Sequence, residues 1–182
     1  MQLRSAPAQD RNGFAVSEAF ADGFGLRTLS DLAPEPDLVL GGPPECLERP
    51  LCLPGLEATY GLMIQDFVVL DLSGPITADA LVRGVVDVAL VLTTSPELER
   101  HDFVLLRNDL HLQPAEHITP IVHEASLARF GPALSGTVDQ VSALLTTREL
   151  RALNSAVEIG GTTLADAASA WLDANGFARD AG

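Results

Sequence analysis

VVDVALVL, residues 85–92, is a run of eight residues in which only Asp87 is polar. A strand with one exposed face alternates apolar and polar residues, so an unbroken apolar run indicates a strand covered on both faces. Such strands occur in parallel sheets that carry helices on each side. Residues 85–92 therefore predict an α/β domain with a central strand buried between two layers of helices.

The residues before this run alternate short apolar segments with helical patterns. Predicted strands cover residues 14–16, 37–40 and 67–70, and predicted helices cover 54–60 and 77–83, closed by Gly61 and Gly84. Strands that alternate with helices in this way are typical of βαβ units. This half of the chain is therefore predicted to form the sheet.

After about residue 104 the pattern changes. Residues 103–106 and 118–122 can form strands, whereas residues 126–175 predict three or four helices. The change near residues 104–110 is the expected boundary between two lobes. The second half of the chain is predicted to be largely helical.

Hydroxyl side chains mark the expected helix starts. Ser17, Thr28 and Thr147 are each placed to accept a hydrogen bond from a free N–H of a first helical turn. Thr163, with Asp166 three residues later, forms a capping box before the last helix.

Composition excludes several classes of function. The 182 residues carry a net charge of −14, and all eleven basic residues are arginine. A chain this acidic repels nucleic acid, and without lysine it has neither a P-loop lysine nor Schiff-base chemistry. No GxSxG, HExxH or glycine-rich dinucleotide motif is present, and no apolar run approaches the roughly 20 residues that span a bilayer. We expect neither an enzyme nor a cofactor.

The loop GGPPECLERPLCLPGL, residues 41–56, contains both cysteines of the chain. Pro43 and Pro44 have no N–H to offer an anion, so the loop is not a phosphate site. Zinc lacks further ligands nearby, and no metal is expected. Because the prolines order the loop in advance, a Cys46–Cys52 disulfide is favoured, which implies an oxidising compartment. Two buried, unpaired thiols are the alternative.

Arg49 lies between the two cysteines, after the predicted strand 37–40. Open α/β sheets bind ligands at the carboxyl ends of their parallel strands, and a guanidinium there offers a bidentate fork for a carboxylate. A solvated surface charge is the other interpretation. Position alone leaves both open.

Several stretches together resemble one family. They are SAPAQDRNGFAVSEAFADGFGLRTLSDLA (5–33), PECLERPLCLPGL (44–56), VDVALVLTTSP (86–96), NDLHLQPAEHITPIV (108–122) and LTTRELRALNSAV (145–157). In this order they resemble the substrate-binding proteins of ABC transporters for glycine betaine, choline and related osmoprotectants. The resemblance implies a type II periplasmic-binding-protein-like α/β fold, in which two lobes close on a ligand.

The resemblance also implies a division of the chain. Residues 12–105 would be the complete α/β ligand-binding lobe. Residues 1–11 and 106–182 would be the crossover segments and the C-terminal part of the other lobe, a largely helical remnant. The amino-terminal half of that other lobe, which precedes residue 1 in the family, is expected to be missing here.

Site residues follow from the resemblance one position at a time. Arg49 matches the family arginine that holds the ligand carboxylate. Phe14 takes the place of a cage tyrosine, and its ring can still make a cation–π contact with a quaternary ammonium. Asn12 falls at a polar position of the pocket. Thr93 and Thr94 follow Leu92, which takes the place of another tyrosine. Glu116 and His117 also take the places of tyrosines. A cationic or zwitterionic ligand is expected.

The implied function is solute binding for an importer, without catalysis. Implied partners are a small osmolyte and the permease subunits at the membrane, with a homodimer or a complementing N-terminal fragment to cover exposed apolar surface. The parent protein would be extracytoplasmic, either periplasmic or anchored at the cell surface. Two alternatives are an intracellular effector-sensing domain, which requires reduced cysteines, and a small α/β hydrolase, which requires a nucleophile with a base.

Overall fold

A computed structural model describes residues 1–177 of the chain. The chain divides into two compact units. One unit is Arg11–Pro114, and the other combines Met1–Asp10 with the chain from Ala115 onward.

The unit Arg11–Pro114 is built on a five-stranded sheet in the order β3-β2-β4-β1-β5. Its strands are β1 (Asn12–Val16), β2 (Leu38–Gly42), β3 (Ile64–Val69), β4 (Val88–Leu92) and β5 (Val104–Leu105). Strand β2 is parallel to β3 and β4, whereas β1 is antiparallel to β4 and β5. The prediction of a parallel sheet is therefore right for the three strands from β2 to β4 and wrong for β1, because an apolar pattern carries no information on strand direction.

Helices cover both faces of this sheet. They are α1 (Glu18–Phe24), α2 (Leu53–Tyr60), α3 (Pro75–Val82) and the short α4 (Glu97–Arg100), with 3-10 turns at Leu29–Leu32 and Pro44–Leu47. Helix α2 ends at Gly61, which adopts the left-handed conformation predicted for it.

Strand β4 is buried on both faces, as its sequence predicted. Val88 and Leu90 belong to one core cluster, while Ala89 and Val91 belong to another on the opposite face. Successive side chains of a strand point to opposite sides, so each face of β4 contributes to a separate core. The fold class predicted for this half of the chain is confirmed.

The other unit is helical. It contains α5 (Glu124–Phe130), α6 (Pro132–Leu144), α7 (Thr147–Glu158) and α8 (Leu164–Ala174). These four helices confirm the helical prediction. The indole N–H of Trp171 on α8 donates to a carboxylate oxygen of Glu149 on α7 over 2.7 Å, which links the last two helices.

The predicted strand at 118–122 is wrong. Ile121 makes an isolated bridge with Gln2, and His117, just before the segment, makes another with Gln9. Pro120 lies within the segment and Pro7 within the residues facing it, and neither can donate to a ladder. The two stretches therefore exchange separate hydrogen bonds rather than form a sheet.

Three of the four predicted helix caps are confirmed. Ser17 and Thr28 each accept a hydrogen bond from the first turn that follows, and Thr163 forms its capping contacts with Asp166. The prediction for Thr147 is wrong, because Thr146 is the residue that caps α7. The Thr147 hydroxyl instead accepts a hydrogen bond from the backbone N–H of Gln9, over 3.0 Å.

Candidate ligand-binding edge

One edge of the sheet gathers most of the predicted site residues of this unit. Strands β2 and β4 end there, at Gly42 and Leu92. Because β1 runs antiparallel to β4, its first residue, Asn12, pairs with Leu92 at the same edge. We call this the strand-end edge. It carries the loop that follows Gly42, the residues Thr93 and Thr94 that follow β4, and the start of β1.

The loop from Pro43 to Cys52 is closed by a Cys46–Cys52 disulfide, with 5.1 Å between the Cα atoms. The disulfide prediction is confirmed, and the alternative of unpaired thiols is wrong. Within the ring, the Arg49 N–H donates to the Glu45 carbonyl over 3.0 Å, and the Cys52 N–H donates to the Arg49 carbonyl over 2.9 Å. Both cysteines are buried, so the disulfide is shielded from reductants in solution.

Two glycines allow the loop to lie this close to the rest of the unit. A Cβ atom on Gly42 would lie 3.3 Å from the Cβ of Leu90 and 3.5 Å from the sulfur of Cys46. A Cβ atom on Gly55, in α2, would overlap the carbonyl oxygen of Pro50. Strand β2 and helix α2 thus fix the two ends of the loop by close backbone approach.

The loop has a further anchor that sequence reasoning missed. The side-chain amide of Gln113, which is buried, donates to the carbonyl of Leu51 over 2.5 Å. Asn108 donates to the Gln113 carbonyl over 2.8 Å, and Tyr60 donates its hydroxyl proton to Asn108 over 3.0 Å. Burial raises the pKa of Tyr60, which keeps the hydroxyl protonated as this donor. No sequence motif marks such a bond between residues 62 positions apart.

Arg49 itself is exposed. Within residues 1–177, no carboxylate forms an ion pair with its guanidinium. The backbone beneath the side chain is restrained while the side chain reaches solvent. This combination leaves the fork of N–H donors available to a ligand carboxylate.

Polar groups accompany Arg49 at the strand-end edge. The Arg11 N–H donates to the Thr93 hydroxyl over 3.2 Å, and the Thr93 N–H donates to the Arg11 carbonyl over 2.9 Å. Thr93 and Thr94 are buried, and Asn12 is half-buried. Since side chains alternate along β1, Asn12 lies on the same sheet face as Phe14, which is also the face that packs against Cys46.

Phe14 lies inside the core. Its side chain is completely buried, in one cluster with Val16, Leu40 and Leu90. The reason is the extent of β1, which begins at Asn12 and makes Phe14 a mid-strand residue rather than a strand-end one. For this ring to contact a ligand, it would have to leave the core.

Glu116 and His117 belong to the other unit, and both are exposed. The ring Nδ1 of His117 lies 2.8 Å from the Ala6 carbonyl, an acceptor, so Nδ1 carries the proton and donates. The Glu116 carbonyl accepts the Asp10 N–H over 3.1 Å. These contacts fix the two residues against the first ten residues of the chain.

Two half-buried carboxylates, Asp71 and Asp109, support the unit Arg11–Pro114. Asp71 accepts hydrogen bonds from the Thr77 hydroxyl and from the N–H groups of Ile76 and Thr77 at the start of α3. Asp109 accepts from the hydroxyl of Ser30 over 2.6 Å. Burial raises the pKa of each carboxyl, but these hydrogen bonds together lower it further, so both pKa values lie below the ordinary value.

Two other kinds of site have no counterpart in residues 1–177. The His, Cys, Asp and Glu side chains described there form no group of three or more that could hold a metal ion. None of the helices described is both long enough and apolar enough to cross a bilayer.

A family model described as the substrate binding domain of ABC-type glycine betaine transport systems matches residues 1–174. The chain belongs to this family. The family consists of solute-binding proteins rather than enzymes, and its members are normally extracytoplasmic. Substrate-binding proteins of ABC transporters bind small molecules and interact with permeases.

Three solved structures share this fold. A glycine betaine/carnitine/choline ABC transporter protein matches with a TM-score of 0.83 and 25% identity, over 94% of this chain and 62% of its own. YehZ from Escherichia coli, without ligand, matches with a TM-score of 0.75 and 25% identity, over 98% and 66%. Lactococcal OpuAC, closed on glycine betaine, matches with a TM-score of 0.61 and 17% identity, over 96% and 67%.

These similarities confirm the type II periplasmic-binding-protein-like fold. At 17% identity, the lactococcal protein supports the fold alone. This chain spans 62% of the length of the first protein and 66% of the second, which is less than two thirds of each.

Proposed function

We propose that this chain is the ligand-binding component of an ABC importer for osmoprotectants of the glycine betaine and choline kind. Membership of the family supports solute binding. The ligand class is supported by the description of the family and by a relative that is named for glycine betaine, carnitine and choline. Delivery of the ligand to a permease is part of the proposal.

The observation that carries the proposal is the state of Arg49. It is an exposed arginine with no ion-pair partner among residues 1–177, on a loop closed by a disulfide, at the edge where β2 and β4 end. Because its backbone is restrained, Arg49 loses less conformational entropy when it binds a carboxylate than an arginine on a mobile loop would. Arg49 would therefore bind the carboxylate of a zwitterionic osmolyte with two parallel hydrogen bonds.

The observations that support the other proposed contacts differ from residue to residue. Asn12, Thr93 and Thr94 share the strand-end edge and would offer hydrogen bonds to the ligand. Glu116 and His117 stay predictions for the cationic end of the ligand, with Glu116 acting by charge. Phe14 is the least supported contact, because it is part of the core.

The disulfide supports an extracytoplasmic location for the parent protein. A disulfide between Cys46 and Cys52 persists in an oxidising compartment, and an intracellular effector-sensing domain would keep these cysteines reduced. We therefore propose that the parent protein is periplasmic or anchored at the cell surface.

An NMR titration of the full chain tests the ligand proposal, and it detects the weak binding that we expect of this chain alone. Added glycine betaine should shift the Arg49 guanidinium signal and the amides of residues 45–52 in a saturable way. Arg49→Ala should weaken glycine betaine binding by about tenfold or more, since it removes a charge-assisted bidentate contact. Choline, which has no carboxylate, should be affected much less.

Arg83→Ala is the matched control. Arg83 is also exposed, and it pairs with Asp79 at the end of α3, away from the cysteine loop. Its loss should leave glycine betaine binding unchanged. The proposal fails if glycine betaine produces no saturable shifts, or if Arg49→Ala and Arg83→Ala bind it equally well.

A further inference from the structure

Gln113 is one of several buried polar residues of the unit Arg11–Pro114, and its side chain, with 4% exposed, donates to a backbone carbonyl of the cysteine loop. That carbonyl belongs to Leu51, which lies between Arg49 and Cys52. Gln113 is itself held by Asn108, which accepts from its N–H over 3.2 Å and donates to its carbonyl over 2.8 Å. The amide donor therefore has a fixed position.

The segment that carries Gln113 is attached to the unit at several further points. The Asp109 carboxylate accepts from the Ser30 hydroxyl over 2.6 Å. The Leu110 N–H donates to the Tyr60 hydroxyl over 3.1 Å. Leu112 lies against α2 so closely that a Cβ atom on Gly55 would be 2.6 Å from it. Residues 108–113 thus lie fixed on the unit just before the chain leaves it after Pro114.

The disulfide alone does not determine where Arg49 points. It joins Cys46 to Cys52, whereas Arg49 and Leu51 lie between the two cysteines and are held by hydrogen bonds. Leu51 is half-buried, and a carbonyl that is shielded from water is costly to leave without a donor. Gln113 supplies that donor and thereby sets the peptide two residues after Arg49.

We propose that Gln113 is a positioning residue for Arg49, which couples the cysteine loop to residues 108–113. The part of this inference that concerns ligand affinity rests on the function proposed above. The coupling itself does not, because it concerns two segments of one unit. When the cysteine loop opens, residues 108–113 lose their hydrogen bonds to it. A ligand bound to Arg49 then slows hydrogen exchange in both segments.

Disulfide reduction measures this coupling without any ligand. Since Cys46 and Cys52 are buried, a thiol reductant reaches them only when the loop opens. In the full chain, Gln113→Met removes the amide and keeps a side chain of similar length. We expect reduction by dithiothreitol under native conditions to become about tenfold faster, as for the loss of a buried hydrogen bond. Gln65→Met, at an exposed position on β3, is the matched control and should leave the rate unchanged.

Hydrogen exchange in the unaltered chain keeps the test independent of whether the variant folds. The hydrogen-bonded side-chain amide proton of Gln113 and the Cys52 N–H should be slowed by the same factor relative to their unprotected exchange rates, because one opening exposes both. Saturating glycine betaine should slow the exchange of both protons together. In a separate titration, Gln113→Met should weaken the binding of glycine betaine about tenfold.

Two results would overturn the coupling: equal reduction rates in Gln113→Met and Gln65→Met, or a Gln113 amide proton that is protected from exchange far less than the Cys52 N–H. If the chain shows the coupling but does not bind glycine betaine, the proposed function fails and the link between Gln113 and the cysteine loop stands.

Discussion

The two units of this chain bury their side chains to very different degrees. In Arg11–Pro114, a five-stranded sheet lies between two core clusters, and large side chains such as Phe14, Leu40 and Leu56 are completely buried. In the helical unit, Ser142 and Ala167 are the only buried residues of the four helices described. Both units expose some large apolar side chains, in the helical unit among them Ile121, Phe130 and Leu164, so the difference lies in what is buried. The sheet unit has a hydrophobic core of its own, whereas the helices of the other unit bury few side chains.

The largest expected effect is on independent folding. A fragment of residues 11–114 should fold cooperatively, because its sheet and both clusters lie within it. A fragment of residues 115–177 should not, since amphipathic helices need a surface to pack against. Circular dichroism with urea titration measures both. The comparison would be contradicted if the helical fragment alone unfolded cooperatively, or if the sheet fragment did not.

Truncation of one leucine in each unit should show the same difference. Leu40→Ala, in β2, should lower the free energy of unfolding by about 2–5 kcal/mol, since the side chain is fully buried and leaves a cavity. Leu164→Ala, at a position that is 77% exposed in α8, should change it by less than about 0.5 kcal/mol. Chemical denaturation of the full chain gives both values. Similar losses for the two variants would contradict the contrast.

Loss of the disulfide should have a smaller effect. Cys46→Ala with Cys52→Ala should cost about 2 kcal/mol in the free energy of unfolding, since the bridge closes a short loop. The loss should be confined to the sheet unit, and exchange of the Arg49 and Cys52 amides should accelerate most. Denaturation of the double variant beside the oxidised parent tests this, and equal stability would show that the loop is held without the bridge.

Acid should destabilise the sheet unit through Asp71 and Asp109. Their pKa values are lowered in the folded state from an ordinary value of 3.8, so their stabilisation is fully present above that pH. It is lost as the pH falls through the lower, folded-state pKa values. Asp109→Asn should therefore cost more stability at pH 7 than at pH 3, as measured by urea denaturation. If Asp109→Asn cost more stability at pH 3 than at pH 7, the predicted direction of the pH dependence would be wrong.

Self-association is the weakest expected effect. The exposed apolar side chains of the helical unit favour a second copy or a complementing fragment, because apolar surface is stabilised by contact. Sedimentation of the full chain should show an average mass that rises with concentration. Leu164→Glu with Phe130→Glu should reduce that rise, whereas Ile76→Glu, at an exposed position on α3 of the sheet unit, should not. A constant monomer mass up to high concentration would contradict it.

The sequence predicted local features well. The apolar run at β4, the glycine that ends α2 and the Thr163–Asp166 box each depend on neighbouring residues, and each is confirmed. The cysteine loop was also predictable, because prolines and two cysteines lie within a few positions. Family resemblance then predicted the fold class, which is confirmed.

Features that depend on distant residues could not be predicted in this way. The direction of β1 is set by its partner β4, about 75 residues later. The role of Gln113 depends on a single carbonyl at Leu51. Phe14 looked like a strand-end residue because its strand was predicted two residues too short, and a shift of that size separates a core position from an edge position.

The account depends most on Arg49 as the residue that binds a ligand carboxylate. A crystal structure of the full chain with glycine betaine at high concentration tests this directly. We predict that a carboxylate oxygen of the ligand lies about 2.7–2.9 Å from a guanidinium nitrogen of Arg49. Glycine betaine bound elsewhere, with Arg49 still exposed to solvent, would contradict the account.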